Sequence, residues 1–292
     1  METRAAKRRR INSYEDNTQK NDEEYTETKT SDLHDNYQYN VTPALEIEKN
    51  IEKPFSVEIL SIKSLMSSFD GELFEEFMAH CRNFLHPSIL NTIEALTIDQ
   101  ADTPLWHQMR FGRVTASRIY QISRCKTKNG SLVESIMGKK SGWSFAMQRG
   151  TELEDKVFKI LEKEFVKHNL KKCGIFLDTS LPHFAASPDG IADDFVVEIK
   201  CPATPKTYQE YLTIENLQPK YYGQIQLQMH ITKRKKALLG VADLNFERTK
   251  KVKKVWIDYD DKYVSNLIES ANTFWIEAIF PLLKKKSKSF YY

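Results

Sequence analysis

The sequence is short of the residues that mark the simplest architectures. Its 292 residues include only four cysteines, Cys81, Cys125, Cys173 and Cys201, and no two form a Cys-x-x-Cys pair. That scatter speaks against a disulfide framework, a zinc site or an iron–sulfur cluster, and reads as the reduced thiols of a cytosolic or nuclear protein. No stretch approaches the ~18 consecutive apolar residues of a membrane span. The first residues hold no apolar segment of the kind a secretory signal needs. The expectation is therefore neither secretion nor membrane insertion. Glycine-built active sites are missing too: there is no Walker-type loop and no Gly-x-Ser-x-Gly elbow.

What is present is the composition of a folded protein, 40% hydrophobic and 28% charged. The net charge of +3 is small, but it is unevenly spread. The first 50 residues carry eight basic and eleven acidic groups, and the rest carry 35 and 29. A modestly basic body suits a polyanion such as DNA, whose neutralised phosphates release counterions. Lys7-Arg8-Arg9-Arg10 reads as a nuclear localisation signal or a phosphate contact, and without it the cytoplasm is expected. Lys284, Lys285, Lys286 and Lys288 read as the solvated end of a helix.

Four segments follow from composition and periodicity. Residues 1–52 are polar and free of glycine, so they read as a disordered tail. Residues 53–100 place Ile59, Ile62, Leu65, Met66, Phe69, Phe74, Phe77 and Met78 at helical spacing, as an accessory packed on the main domain or an independent adaptor. Residues 101–285 form the main domain, and 286–292 a C-terminal tail. In the main domain, helices are predicted at Ala116–Ser123 (capped by Thr115), Arg149–Lys167, Tyr208–Leu212 and Lys220–Ile231. Strands are predicted at Gly174–Leu177, His183–Ala186, Phe195–Cys201, Ala237–Ala242 and Lys254–Tyr259. A last amphipathic helix, Lys262–Leu283, should break at Pro281. Strands bracketed by helices without strict alternation predict an α/β (α+β) fold with a mixed central sheet flanked by helices.

The chemistry concentrates in Phe195-Val196-Val197-Glu198-Ile199-Lys200-Cys201-Pro202. On a strand, Glu198 and Lys200 share one face, and Val197 and Ile199 the other. A Glu-x-Lys pair alone is most simply an ion pair on an exposed edge. Ser187-Pro188-Asp189-Gly190, a strong turn, changes that reading, because a return of the chain there brings Asp189 near Glu198. Glu154 supplies a third carboxylate. It shares a helix face with Val157, Phe158 and Leu161 and is expected to point inward, whereas Glu152 faces Lys156, Lys159 and Lys163 in solvent. A buried carboxylate needs a partner, either a salt bridge or a divalent cation. For a cation, oxygen donors without a His/Cys cluster select Mg²⁺ or Mn²⁺.

These residues resemble the lambda exonuclease and YqaJ-like viral recombinase branch of the PD-(D/E)xK nucleases. The resemblance covers about 101–285. It rests on Trp106-His107-Gln108-Met109-Arg110-Phe111-Gly112 with Thr115-Ala116-Ser117, on Gln148-Arg149-Gly150 through Glu154, on the Ser-Pro-Asp-Gly turn, on Glu198-Ile199-Lys200-Cys201-Pro202, and on Gln224-Ile225-Gln226. Each motif alone is weak; five in order make a strong signal. The resemblance implies a restriction-endonuclease-like core. It implies that Asp189, Glu198, the Ile199 carbonyl and Glu154 hold Mg²⁺ (or Mn²⁺), and that Lys200 is the catalytic lysine acting on the attacking water. It further implies that Gln224 orients that lysine or water, and that Arg110 and Ser117 cradle a 5′-terminal phosphate.

The expected activity is thus Mg²⁺-dependent hydrolysis of DNA, as a 5′-to-3′ exonuclease on linear duplex ends that leaves a single-strand product, in recombination, repair or mobile-element processing. The alternatives are a non-catalytic DNA-binding adaptor and a structure-specific endonuclease on the same fold. A homotrimer and a single-strand annealing partner are implied by the family alone. Tyr208, Tyr211, Tyr221 and Tyr222 are candidates for base stacking, though tyrosines at this spacing more often belong to a core. His107 reads as a packed or hydrogen-bonded histidine and Cys201 as a small core residue.

Overall fold

The computed structural model describes residues 56–139, 142 and 145–287. The expectations for the tail 1–52, for the Lys7–Arg10 run and for residues 288–292 lie outside them. The chain opens with short helices, α1 (Ile62–Ser67), α2 (Phe74–Arg82) and α3 (Pro87–Leu96), followed by α4 (Pro104–Arg110). Strand β1 (Val114–Thr115) leads through a 3₁₀ turn at Ala116–Arg118 into α5 (Ile119–Arg124). Helix α6 (Ser131–Ile136) and the long α7 (Phe145–Glu164) come next. Then follow β2 (Phe176–Leu177), β3 (Phe184–Ala186), β4 (Gly190–Ile191), β5 (Phe195–Lys200), α8 (Pro205–Glu210) and α9 (Pro219–Thr232). The chain continues with β6 (Lys236–Ala242), α10 (Phe246–Thr249), β7 (Val252–Asp258), α11 (Asp261–Phe274) and α12 (Phe280–Ser287).

The fold is the mixed α+β one expected, but its strands divide into two sheets. One is three-stranded in the order β1-β3-β2, the other four-stranded in the order β4-β5-β6-β7. In the larger sheet β4 and β5 are antiparallel, β5 and β6 parallel, and β6 and β7 antiparallel. The β5–β6 crossover carries α8 and α9, as a parallel pair requires a long connection. Strand β5 is buried on both faces. Phe195, Val197 and Ile199 pack with Leu153, Val157, Phe158 and Leu161 of α7. Val196 packs on the opposite side with Ile225 and Met229 of α9. Helix α9 also lends Leu227 and Ile231 to the third core cluster, so it is buried on several sides and lacks a polar stripe.

The N-terminal helices share that third cluster. Leu60, Ile62, Leu65, Phe77 and Met78 are buried together with Val264, Trp275 and Leu283 from the end of the chain. Arg113 ties the parts: its guanidinium, 1% exposed, donates to the carbonyls of Leu60, Met109 and Pro182.

Two local expectations are corrected. Thr115 does not cap the following helix; it is buried at the end of β1, and its hydroxyl lies 3.3 Å from that of Ser117. Pro281 does not break the last helix. A π-helical stretch, Trp275–Ile279, precedes α12, and the chain runs helically through the proline. Proline removes a donor and crowds the carbonyl four residues back, and one widened turn absorbs both.

Candidate active site

The site is built by the β4–β5 hairpin. Gly190 is paired with Val197 and Ile191 with Val196, so the next position back sets Asp189 opposite Glu198. The Asp189 amide donates to the Val197 carbonyl at 3.0 Å, and its carboxylate accepts from the Ile199 amide at 2.5 Å. Gln100, from the N-terminal segment, steadies this turn by donating to the Pro188 carbonyl at 2.8 Å and that of Cys173 at 3.2 Å.

Glu198 forms the floor at 3% exposure. Lys200 donates to its Oε1, Gln224 to the same oxygen at 2.6 Å, and Gln228 to Oε2 at 2.6 Å. Gln224 and Gln228 stand one helical turn apart on α9 and so present the same face. Gln226 faces the other way, donating to the Asp258 carbonyl and accepting from the Asp260 amide. The Lys200 ammonium also lies 5.4 Å from the Tyr221 ring centre. Sequence reading missed Gln228 and Gln100. The signal for Gln228 was its i+4 spacing from Gln224; Gln100 has none.

Glu154 differs from expectation, being exposed and not turned into the core. Leu153 takes the buried place in that turn, in line with Val157 and Leu161, which leaves Glu154 at the rim beside the open end of β5. Its carboxyl still senses the site. Partial loss of hydration, then the Glu198 charge, raises its pKa above the usual carboxylate value, against Lys200. Asp189 is shifted further up by burial, then by Glu198 and Glu154. Burial pulls Lys200 down, but the charges of Glu198 and Asp189 more than offset it, and its ammonium is held above the ordinary lysine value.

Three carboxylates therefore share one ammonium, a donor set of hard oxygens with excess negative charge. That chemistry suits a divalent cation, and Asp189, Glu198, Glu154 and the Ile199 carbonyl are the groups that would hold it. Among the described residues no three His, Cys, Asp or Glu side chains converge into a ready cage. Glu198 is instead engaged by Lys200, Gln224 and Gln228.

Arg110 and Ser117 form a second locus. Arg110 stacks over Trp106, 4.0 Å from its ring centre, and its Nη2 lies 3.4 Å from the Ser117 hydroxyl. Burial, then nearby Arg118, lowers the Arg110 pKa to about 10. His107 is exposed and hydrogen-bonds the Ala101 carbonyl at 2.8 Å. Tyr211 is buried, with Tyr208, Tyr221 and Tyr222 half-buried against the same core, so these rings serve packing. Cys201 is half-buried beside the α7 core.

The chain matches a family model described as YqaJ-like viral recombinase domain over residues 105–235. It resembles the crystal structure of an alkaline exonuclease, LHK-Exo, from Laribacter hongkongensis at 28% identity and a TM-score of 0.51. It resembles LHK-Exo in complex with dAMP at 27% and 0.54. Each likeness covers 64% of this chain and 100% of that one. No curated protein sequence matches. The hairpin, the helix that braces it and the end of α4 that carries Arg110 all fall within the matched stretch, so residues 105–235 are similar to the YqaJ-like viral recombinase domain family.

Proposed function

We propose that this protein is a Mg²⁺-dependent deoxyribonuclease that degrades linear duplex DNA from the 5′ end. The observation that carries the reading is the convergence of Asp189, Glu198 and Lys200 on one hairpin with Glu154 at its rim; the family and the exonuclease likeness support it. Bound at the carboxylates, Mg²⁺ supplies a water of lowered pKa and stabilises charge on the phosphate oxygens. Lys200, kept protonated by Glu198 and Asp189, acts as a cation that orients the water and meets the developing phosphate charge, not as a base. Gln224 and Gln228 fix Glu198 through its two oxygens, and Lys200 shares Oε1 with Gln224. Arg110, stiffened by its stack on Trp106, offers a planar fork to a terminal phosphate, with Ser117 as a further donor.

The test compares linear 5′-phosphorylated duplex with closed circular DNA, with Mg²⁺ and with chelator. Loss of the linear substrate alone, only with metal, is expected. Nicked circles would point to an endonuclease, and binding without cleavage to an adaptor. Lys200→Ala should lower turnover by at least about a hundredfold while DNA binding persists; full activity in that variant refutes the lysine's role. Arg110→Ala should slow 5′-phosphorylated ends about tenfold or more and spare 5′-hydroxyl ends; equal losses on both argue against a phosphate clamp.

A further inference from the structure

Arg149 belongs to a sequence motif for which the chemistry above finds no use. It sits near the start of α7, and its guanidinium reaches across the ends of two strands. Nε donates to the Pro202 carbonyl at 3.0 Å, and Nη2 to those of Leu244 at 3.0 Å and Asp243 at 3.3 Å. Pro202 lies two residues past Lys200. Asp243 and Leu244 follow β6, whose Val241 is paired with Lys200. Neighbouring strands are about 4.8 Å apart, so Arg149 is fixed beside the catalytic end of the sheet.

Its partners are all neutral carbonyls. Among the described residues no carboxylate pairs with Arg149, and none pairs with Arg248. Both line a cavity of about 240 Å³ with Leu244, Asn245 and Glu247. Glu247, the one acid there, leans toward Lys156 at 3.6 Å. The three hydrogen bonds use the Nε and Nη2 hydrogens of Arg149 and hold it rigid; its Nη1, with no partner among the described residues, and the Arg248 guanidinium remain as donors for an oxyanion.

We propose that this cleft binds a backbone phosphodiester of the substrate strand close to the one cleaved at Lys200, with Arg149 as a fixed cation that presents Nη1 and Arg248 as the outer clamp. The proposal rests on the nuclease reading, since it takes the ligand to be nucleic acid. Such a contact positions the strand and carries no sequence information.

The experiment measures the affinity of a labelled duplex across a salt series, with chelator present so that nothing is cleaved. It uses the wild type, Arg248→Ala and Arg149→Lys, with melting temperatures recorded in parallel. Arg248→Ala should flatten the log–log salt slope by about one and weaken binding roughly tenfold, alike for all sequences. Its melting temperature should stay unchanged. Arg149→Lys should weaken binding several-fold through loss of the fixed Nη1 donor. Slopes and affinities equal to wild type in both variants overturn the cleft. A wild type that cleaves with such unaltered variants sinks the cleft alone. One that binds DNA yet never cleaves sinks the nuclease reading alone, and the slopes still decide the cleft. One that binds no DNA removes both.

Discussion

Glu198 is the residue on which the site turns, because it is buried and still has three donors. A hydrogen bond to a charged group is worth about 1.5–3 kcal/mol. Gln228→Ala should accordingly lower unfolding stability by about 2 kcal/mol and depress activity, as measured by urea unfolding and by turnover; stability equal to wild type would mean that Glu198 does not need this donor. The alternation of β5 and the Ser-Pro-Asp-Gly turn made Glu198, Lys200 and Asp189 legible as neighbours in the sequence, since strand periodicity and turn chemistry are local. Glu154 was half legible. Its helix was clear, but whether it or Leu153 took the buried place depended on how α7 rolls on the sheet, which no local spacing fixes. Arg113 was invisible, for its three acceptors are main-chain carbonyls, two of them from distant segments, and carbonyls leave no trace in residue identity.

At the scale of elements, the close approaches decide. The C-terminal turn of α3 docks on the chain leading into β2. Glu94 accepts from the Gly174 amide at 3.1 Å, and the Thr97 hydroxyl accepts from the Ile175 amide at 2.9 Å. A Cβ at Gly174 would fall 2.0 Å from the Glu94 carbonyl oxygen and 2.3 Å from the Thr97 hydroxyl. Backbone atoms cannot yield as a side-chain tip does, so Gly174→Ala should destabilise the protein by about 3 kcal/mol, read from the denaturation midpoint. An unchanged midpoint would mean that α3 does not sit this close. The helix–strand order was readable because its hydrophobic periods are long. The division into two sheets was not, because β1 and β2 are only two residues each and their pairing is set by tertiary contacts.

At the scale of the molecule, the third core cluster joins both ends of the described chain and encloses His183. Its Nε2 donates to the Asn272 side-chain oxygen Oδ1 at 2.8 Å, and its Nδ1 is buried with no partner among the described residues. Burial drives its pKa down to about 3, offset only in part by Asn272. Between that value and the ordinary ~6.5, the unfolded chain takes up a proton that the folded one refuses. The His183 contribution to stability is therefore complete above ~6.5 and is lost as pH falls, by about 2 kcal/mol at pH 5. Asp189 and Glu154, raised in the folded state, act in the opposite sense, favouring the fold as pH drops. The clean measurement is thus the difference between wild type and His183→Gln in urea unfolding from pH 7.5 to 5; parallel curves would refute the buried neutral imidazole. Among the described residues no helix is long and apolar enough to cross a membrane.

The pairing of β4 with β5 also decides whether the site exists at all. Sliding that pairing by a single position would set Asp189 opposite Val197 or Ile199, whose side chains lie on the other face of β5, and take it from Glu198. Competence is then all or nothing. A copy with that pairing out of register lacks the Asp189–Glu198 approach, so the site is complete or absent with nothing in between.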